Sequence, residues 1–226
     1  MTGALCFDMY GTLCDTSSVT DRLAETLDVP GGLVDAVERT WRSRQLEYSF
    51  QLSLMDAYEP FWEVTRRGLD YALAAHDLDP DATARETILA SYDELAPYPD
   101  AVDSLERLAD AGYAVAVLSN GNPSMLERLA DDAGLDAHLD EIVSADEVRT
   151  FKPSPEVYEN AAQRLGELIE DCRLVSGNAW DVAGAGAAGM GTAWVNRRRD
   201  PPEAIGPTPE IEARSLSGVV DAVLAD

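Results

Sequence analysis

The sequence predicts an α/β fold: a doubly wound, Rossmann-like parallel sheet that carries an inserted helical cap. Three observations lead there. From about residue 96 onward, apolar strand-like runs alternate with segments of helical period, and such alternation builds a parallel sheet covered on both faces. A first strand-like run, ALCFDMY, stands far from the others at residues 4–10. Between it and the rest, from about residue 16 to 95, the patterned segments are helical and no strand appears among them.

Taken in order, ALCFDMY runs into the glycine turn GT, with Asp8 where the strand ends. Three helical segments follow: VDAVERTWRSRQLEYSF, FWEVTRRGLDYALAAH and DATARETILASYDEL. The punctuation APYPD at 96–100 marks the return to the sheet, before the helix DAVDSLERLADAG. Strand-like runs then appear at YAVAVLSN (113–120), EIVSA (141–145), RLVSGN (173–178) and TAWVN (192–196). The helical patterns SMLERLADDAG, PEVYENAAQRLG and DVAGAGAAG lie between them. Right-handed crossovers follow. The expected domains are a core of residues 1–15 and 96–226 and a helical cap of 16–95. Ligands of such sheets bind beyond the carboxyl ends of the strands, where a cap can close over them.

The chain has 226 residues, enough for one core with a smaller inserted lobe. No long apolar run or basic leader is visible, so it reads as soluble and cytoplasmic, without a membrane span. Its 42 acidic against 17 basic residues give a net charge of −25, which argues against nucleic acid and anionic membranes as partners. With 46% hydrophobic residues it is not the composition of a disordered chain. Sixteen of the basic residues are arginine, and Lys152 is the one lysine. This acidic, lysine-poor pattern suits a salt-rich, halophilic cytosol, where mobile ions screen self-repulsion; a plain acidic mesophile is the alternative. Cys6, Cys14 and Cys172 form no CxxC pair and are odd in number, so they read as structural thiols. The run Arg197 to Arg199 reads as a solvated loop.

Four short motifs fall at the same sheet edge: DMYGT (Asp8, Tyr10, Thr12), SNG (Ser119, Asn120), FKP (Lys152) and SGNAWD (Ser176, Asn178, Asp181). Each alone is weak, since Asp after a strand is also a common helix cap. Their shared order and placement mark a site. In a chain that otherwise uses arginine for every positive charge, Lys152 stands out, because a compact ammonium beside a carboxylate is what arginine cannot reproduce.

This constellation resembles the haloacid dehalogenase superfamily and, within it, the type II (S)-2-haloacid dehalogenases, over nearly the full length. The resemblance covers WRSRQLEYSFQLSLM and Phe61 in the cap and the late stretch SGNAWDVAGAGAAGMGTAWVNR. Phosphatases of that superfamily carry a second aspartate two residues after the first, to protonate a departing alkoxide. Here Tyr10 takes that place, and halide leaves without a proton. Asn178 stands where phosphatases commonly have a metal-binding aspartate, so no metal and no other cofactor are expected.

The resemblance implies hydrolysis of (S)-2-haloalkanoic acids to (R)-2-hydroxyalkanoic acids in two steps. Asp8 attacks the halogen-bearing carbon and forms an ester, and water then attacks the Asp8 carbonyl. Thr12 and Lys152 keep Asp8 ionised and aimed, while Asp181, through Asn178 and Ser176, orients Lys152 and the water. Ser119 would hold the substrate carboxylate, and Arg42 with Asn120 a halide cradle. Tyr10, Leu46, Phe61 and Trp180 would line the pocket, with Tyr158 beside them. Ser43 departs from the longer amide expected after Arg42, which bears on pocket size. Relatives pair as homodimers, yet no interface is legible in this chain.

GAGAAG at 184–189 matches a dinucleotide fingerprint letter for letter. It lies in a helix leading into a strand, the reverse of the order such a site needs, so it reads as close helix packing. His76 and His138 lie away from the motifs, and GxSxG is absent, which argues against a serine-histidine triad. Two rivals stay open: a superfamily hydrolase acting on another small substrate such as a phosphate ester, and a catalytically idle binding module.

Overall fold

The protein is described by a computed structural model covering residues 3–225; residues 1, 2 and 226 of the expected core lie outside the described residues. Six parallel strands form one sheet: β1 (Ala4–Phe7), β2 (Ala114–Ser119), β3 (Glu141–Ser144), β4 (Cys172–Ser176), β5 (Gly191–Val195) and β6 (Ile211–Ala213). Their order in the sheet is β3-β2-β1-β4-β5-β6. The chain winds outward from β1 to β3, then returns to lay β4 against the other side of β1. The order therefore reverses between β1 and β4, and it is beyond the carboxyl ends of strands at such a reversal that a crevice opens.

Both sheet faces are covered, as a parallel sheet requires. Alternate residues of β1 divide between two cores. Leu5 and Phe7 pack with Val115, Val117 and Val195 under α5 (Ala101–Asp110), α6 (Pro123–Asp132) and α9 (Leu216–Val223). Ala4 and Cys6 pack with Leu118, Leu174 and Ala161 under α7 (Pro155–Leu165) and α8 (Ala179–Ala187). Local chemistry sets the helix ends. Pro123 and Pro155 open α6 and α7, where a missing N–H costs nothing, and Gly166 at φ +71° closes α7.

Between β1 and α5 the chain is helical: α1 (Ser17–Thr26), α2 (Gly31–Leu54), α3 (Phe61–Ala75) and α4 (Ala82–Ala90). Their buried residues Val19, Leu23, Val37, Trp41, Leu69 and Ile88 continue the first core outward through Met9, Tyr10 and Leu13. Polar bridges tie this helical segment to α6 and to the loops at the carboxyl ends of the strands. Thr150 Oγ1 and Phe151 N donate to Ser53 Oγ, both at 3.1 Å. The Tyr58 hydroxyl donates to Asp146, Trp62 N donates to Asn122 Oδ1 (2.8 Å), and Arg128 pairs with Asp93. No helix among the described residues is long and apolar enough to cross a membrane.

The helices α1 and α9 and the three-residue edge strand β6 were not among the elements expected from the sequence. β6 is too short to show a period, and its middle residue Glu212 is exposed. GAGAAG behaves as packing: a Cβ on Gly184 would sit 2.4 Å from Pro153 Cβ and 2.8 Å from the Tyr158 hydroxyl. Gly184→Ala is therefore expected to cost roughly 1–3 kcal/mol in urea melts. Gly32→Ala, at a helical site with open space around it, should be neutral or stabilising by up to about 1 kcal/mol.

Candidate active site

Asp8 follows β1 directly and is held by β4 through its backbone, its N–H donating to Val175 O at 3.0 Å. The next seven residues fold back tightly. Gly11 takes φ +80°, a left-handed turn suited to glycine, and the amides of Leu13 and Cys14 both return to Met9 O. The turn brings Thr12 under the carboxylate, where Oγ1 donates to Asp8 Oδ2 at 3.0 Å and accepts from Gly177 N at 2.8 Å. Asn178, in the loop after β4, donates from Nδ2 to the same Oδ2 at 2.8 Å. It also donates to Tyr10 O at 3.2 Å.

The other carboxylate oxygen faces Lys152. Its Nζ lies 3.3 Å from Asp8 Oδ1 and 2.8 Å from Asp181 Oδ2, bridging two carboxylates. Lys152 and Asp181 are 1% and 0% exposed. Burial pulls the Lys152 ammonium down, but Asp181 and Asp8 outweigh it, and its pKa ends above the ordinary lysine value. Asp181 is raised, by burial first and by Asp8 as well, against the pull of Lys152. Two further bonds fix this pair: the Tyr158 hydroxyl donates to Asp181 Oδ1 at 2.8 Å, and Lys152 N donates to Asn120 Oδ1 at 2.9 Å. Gly184 provides the room for the Tyr158 hydroxyl.

The donor set does not suit magnesium, which phosphatases of the superfamily bind. That ion needs a shell of oxygens. Here an ammonium stands between the carboxylates, and the Asn178 amide turns an N–H toward Asp8. Among the described residues no group of three or more His, Cys, Asp or Glu could hold a metal.

The Tyr10 hydroxyl is buried, and among the described residues no hydrogen-bond partner meets it. Burial, with Asp93 adding to it, pushes the phenol far above its usual range, so it keeps its proton. Its ring lies 6.4 Å from Phe61 and 5.8 Å from Tyr92, and Phe61 in turn lies 5.9 Å from Phe151. Trp180, at the start of α8, packs edge-on to Phe50 of α2 at 5.5 Å. Arg42 and the half-buried Leu46 stand one turn apart on α2. Arg42 donates to Gln45 Oε1 at 2.8 Å and lines a cavity of about 420 Å³ together with Tyr10 and Asn178.

The chain belongs to the haloacid dehalogenase-like hydrolases. The family model of that description matches residues 2–189. The (S)-2-haloacid dehalogenase 4A of Burkholderia cepacia is 42% identical over 200 residues, 88% of this chain and 85% of that protein. The (S)-2-haloacid dehalogenase of Pseudomonas sp. strain YL is 39% identical over 96% of this chain and 92% of its own. Among solved structures, the L-2-haloacid dehalogenase of Xanthobacter autotrophicus with chloropropionic acid covalently bound superposes with a TM-score of 0.90. It is 33% identical and covers 99% of both chains.

Within this hydrolase fold several sequence expectations change. Asn178 and Ser176 do not relay Asp181 to Lys152: Asp181 reaches Lys152 directly, Asn178 serves Asp8, and Ser176 Oγ accepts from Asn178 N at 3.1 Å. Tyr158 is fully buried behind Asp181 instead of lining a substrate pocket. Ser119 is 1% exposed, its Oγ accepting from Gly121 N at 3.3 Å. Asn120 Oδ1 accepts from Lys152 N and Arg42 Nη1 donates to Gln45 Oε1, bonds that use neither Asn120 Nδ2 nor Arg42 Nη2. The arginine run divides: Arg198 and Arg199 are exposed, but Arg197 is half-buried, its guanidinium 3.6 Å from the centre of the Tyr98 ring. Its one sequence signal is its position just beyond a strand end.

The three cysteines are free and buried, with burial pushing Cys6 and Cys14 up to about 12 and Cys172 to about 11. They are unreactive thiols. His76 bonds Thr40 and His138 lies near Glu106, both apart from the Asp8 cluster.

Lys152→Met should cost about 3–5 kcal/mol, because it leaves two carboxylates buried without a cation. The loss of stability with rising pH should also begin at lower pH. A raised lysine contributes fully below about pH 10.4 and loses that contribution as pH climbs through its folded value. Without Lys152, the raised Asp181 favours the fold only while protonated, so stability should fall as pH rises from about 4. Urea melts across pH would measure both.

Proposed function

We propose that this chain is a hydrolase acting on carbon-halide bonds, converting (S)-2-haloalkanoic acids to (R)-2-hydroxyalkanoic acids through an ester on Asp8. The observation that carries the reading is a buried carboxylate that accepts from one ammonium and two neutral donors, with a tyrosine where a leaving-group acid would stand. Such a group can displace a halide, which needs no proton, and is poorly equipped to expel an alkoxide.

Thr12 and Asn178 both donate to Oδ2, so Oδ1 is the oxygen with a lone pair free for attack. Oδ1 attacks C2 from the side opposite the halogen; the C–O bond forms, the carbon–halogen bond breaks with inversion, and halide leaves with the electron pair. Water then adds to Cγ of the ester. The charge that builds on Oδ2 falls where Thr12 and Asn178 already donate, a preorganised oxyanion site. Cleavage of the acyl bond releases the 2-hydroxy acid, restores the Asp8 carboxylate and frees one proton. Asp181 and Tyr158 hold Lys152 in place through both steps.

Residues 16–95 serve as a cap, docked by Ser53, Tyr58 and Trp62 onto a core of 1–15 and 96–226. Tyr10, Phe61, Leu46 and Trp180 shape the room for the alkyl group and halogen, and Arg42, Ser119 and Asn120 take its anionic ends. A cytoplasmic setting rich in salt fits the net charge of −25. The resemblance also carries a homodimer.

Incubation with (S)-2-chloropropionate and EDTA in high KCl should release the 2-hydroxy acid, and Asp8→Asn should abolish it. Hydrolysis of p-nitrophenyl phosphate that requires Mg²⁺, with no haloacid turnover, would overturn the reading. In a single turnover in ¹⁸O-water the label should enter Asp8 and leave the first product unlabelled; label in that product would exclude the ester. Activity and folding should be greatest in molar KCl, and greatest activity in dilute buffer would overturn the halophilic setting.

A further inference from the structure

The loop that carries Asp8 and Thr12 is stitched to its surroundings from three directions. The loop after β4 takes hold of side chains, through Gly177 N on Thr12 Oγ1 and Asn178 Nδ2 on Asp8. The returning segment 96–98 takes hold of the backbone, with Tyr98 N donating to Leu13 O at 2.8 Å and Asp15 N donating to Ala96 O at 2.8 Å. The third hold comes from beyond β5, where Arg197 turns inward. Its Nη2 donates to Thr12 O at 3.1 Å and its Nη1 to Gly11 O at 3.5 Å.

The guanidinium is fixed on its other side as well. It stacks over the Tyr98 ring at 3.6 Å, and the Tyr98 hydroxyl donates to Asp15 Oδ1 at 3.4 Å. Its nearest carboxylate, Asp100, is 4.0 Å away, and the side chain keeps 21% exposure. A half-buried cation that spends its donors on backbone carbonyls does little for the stability of a surface ion pair. A planar fork can take two adjacent carbonyls while stacking on an aromatic ring, and a lysine ammonium cannot.

We propose that Arg197 is a positioning residue for the reaction: by clamping the carbonyls of Gly11 and Thr12, it sets the angle at which Thr12 presents the Asp8 carboxylate. Thr12 is held at both ends, its hydroxyl between Asp8 and Gly177 and its carbonyl under Arg197. Releasing the carbonyl lets the hydroxyl swing, and the carboxylate with it. The inference rests on Asp8 being the nucleophile.

Arg197→Ala and Arg197→Lys are compared with wild type on (S)-2-chloropropionate, with melting curves confirming that each variant is folded at the assay temperature. A misaligned nucleophile should lower kcat roughly 10- to 100-fold in both variants. KM should stay within about twofold, the mark of a group that acts through Asp8 and not on the substrate itself. The cavity of about 420 Å³ that Arg197 lines admits a small cation, so methylguanidinium should restore part of kcat to Arg197→Ala and leave wild type unchanged. Variants that keep wild-type kcat, or that raise KM alone, overturn the inference, as does a loss that follows melting and resists methylguanidinium. A wild type inert on every haloacid overturns the assigned reaction and this inference together, whereas an active wild type with unaffected variants overturns this inference alone.

Discussion

One ammonium between two carboxylates, sealed from water, is the constraint on which the rest of this structure depends. Taking three charges out of water is costly, and their attraction repays that cost only where geometry is good and every remaining polar atom finds a partner. The neighbours of Lys152 meet that condition in layers. Tyr158 satisfies the oxygen of Asp181 that Lys152 does not reach, Thr12 and Asn178 satisfy the far oxygen of Asp8, and Asn120 holds the Lys152 backbone. Even a missing methyl group belongs to the arrangement, because Gly184 leaves the space into which the Tyr158 hydroxyl fits.

Those groups come from the ends of β1, β2 and β4 and from helices on the second face of the sheet, and they meet because the strand order reverses between β1 and β4. Parallel winding places every carboxyl end on the same edge, so residues distant in the chain become neighbours without any irregular path. Asp8 and Asn178 are 170 positions apart, yet 2.8 Å separates them. The helices of residues 17–90 then add Phe61 to an aromatic wall over that edge, between Tyr10 and Phe151 of the strand-end loops.

Charge is partitioned between inside and outside. The surface carries the acidic excess, and its arginines are engaged in ion pairs such as Glu63–Arg66–Asp70–Arg85. Pairs of this kind contribute little singly and are screened by salt. Near the site the two signs are mixed, with Lys152, Arg42 and Arg197 set among Asp8, Asp181, Glu38 and Asp100.

How much was legible in advance follows from which interactions are local. Alternation of strand and helix, the helical interval after β1, and the placement of Asp8, Ser119, Asn120, Ser176 and Asn178 near strand ends are properties of short windows, and the sequence by itself determined them. The uniqueness of Lys152 was equally plain in composition, and it proved to be the buried cation of the site. Which atom meets which was decided only by the tertiary structure. Tyr158 turned to Asp181, Asn178 turned to Asp8, and Arg197 left an apparently solvated run to stack on Tyr98, because each contact joins segments far apart in sequence. Hydrogen-bond direction and burial depend on packing across the sheet edge, and no periodicity along the chain records them.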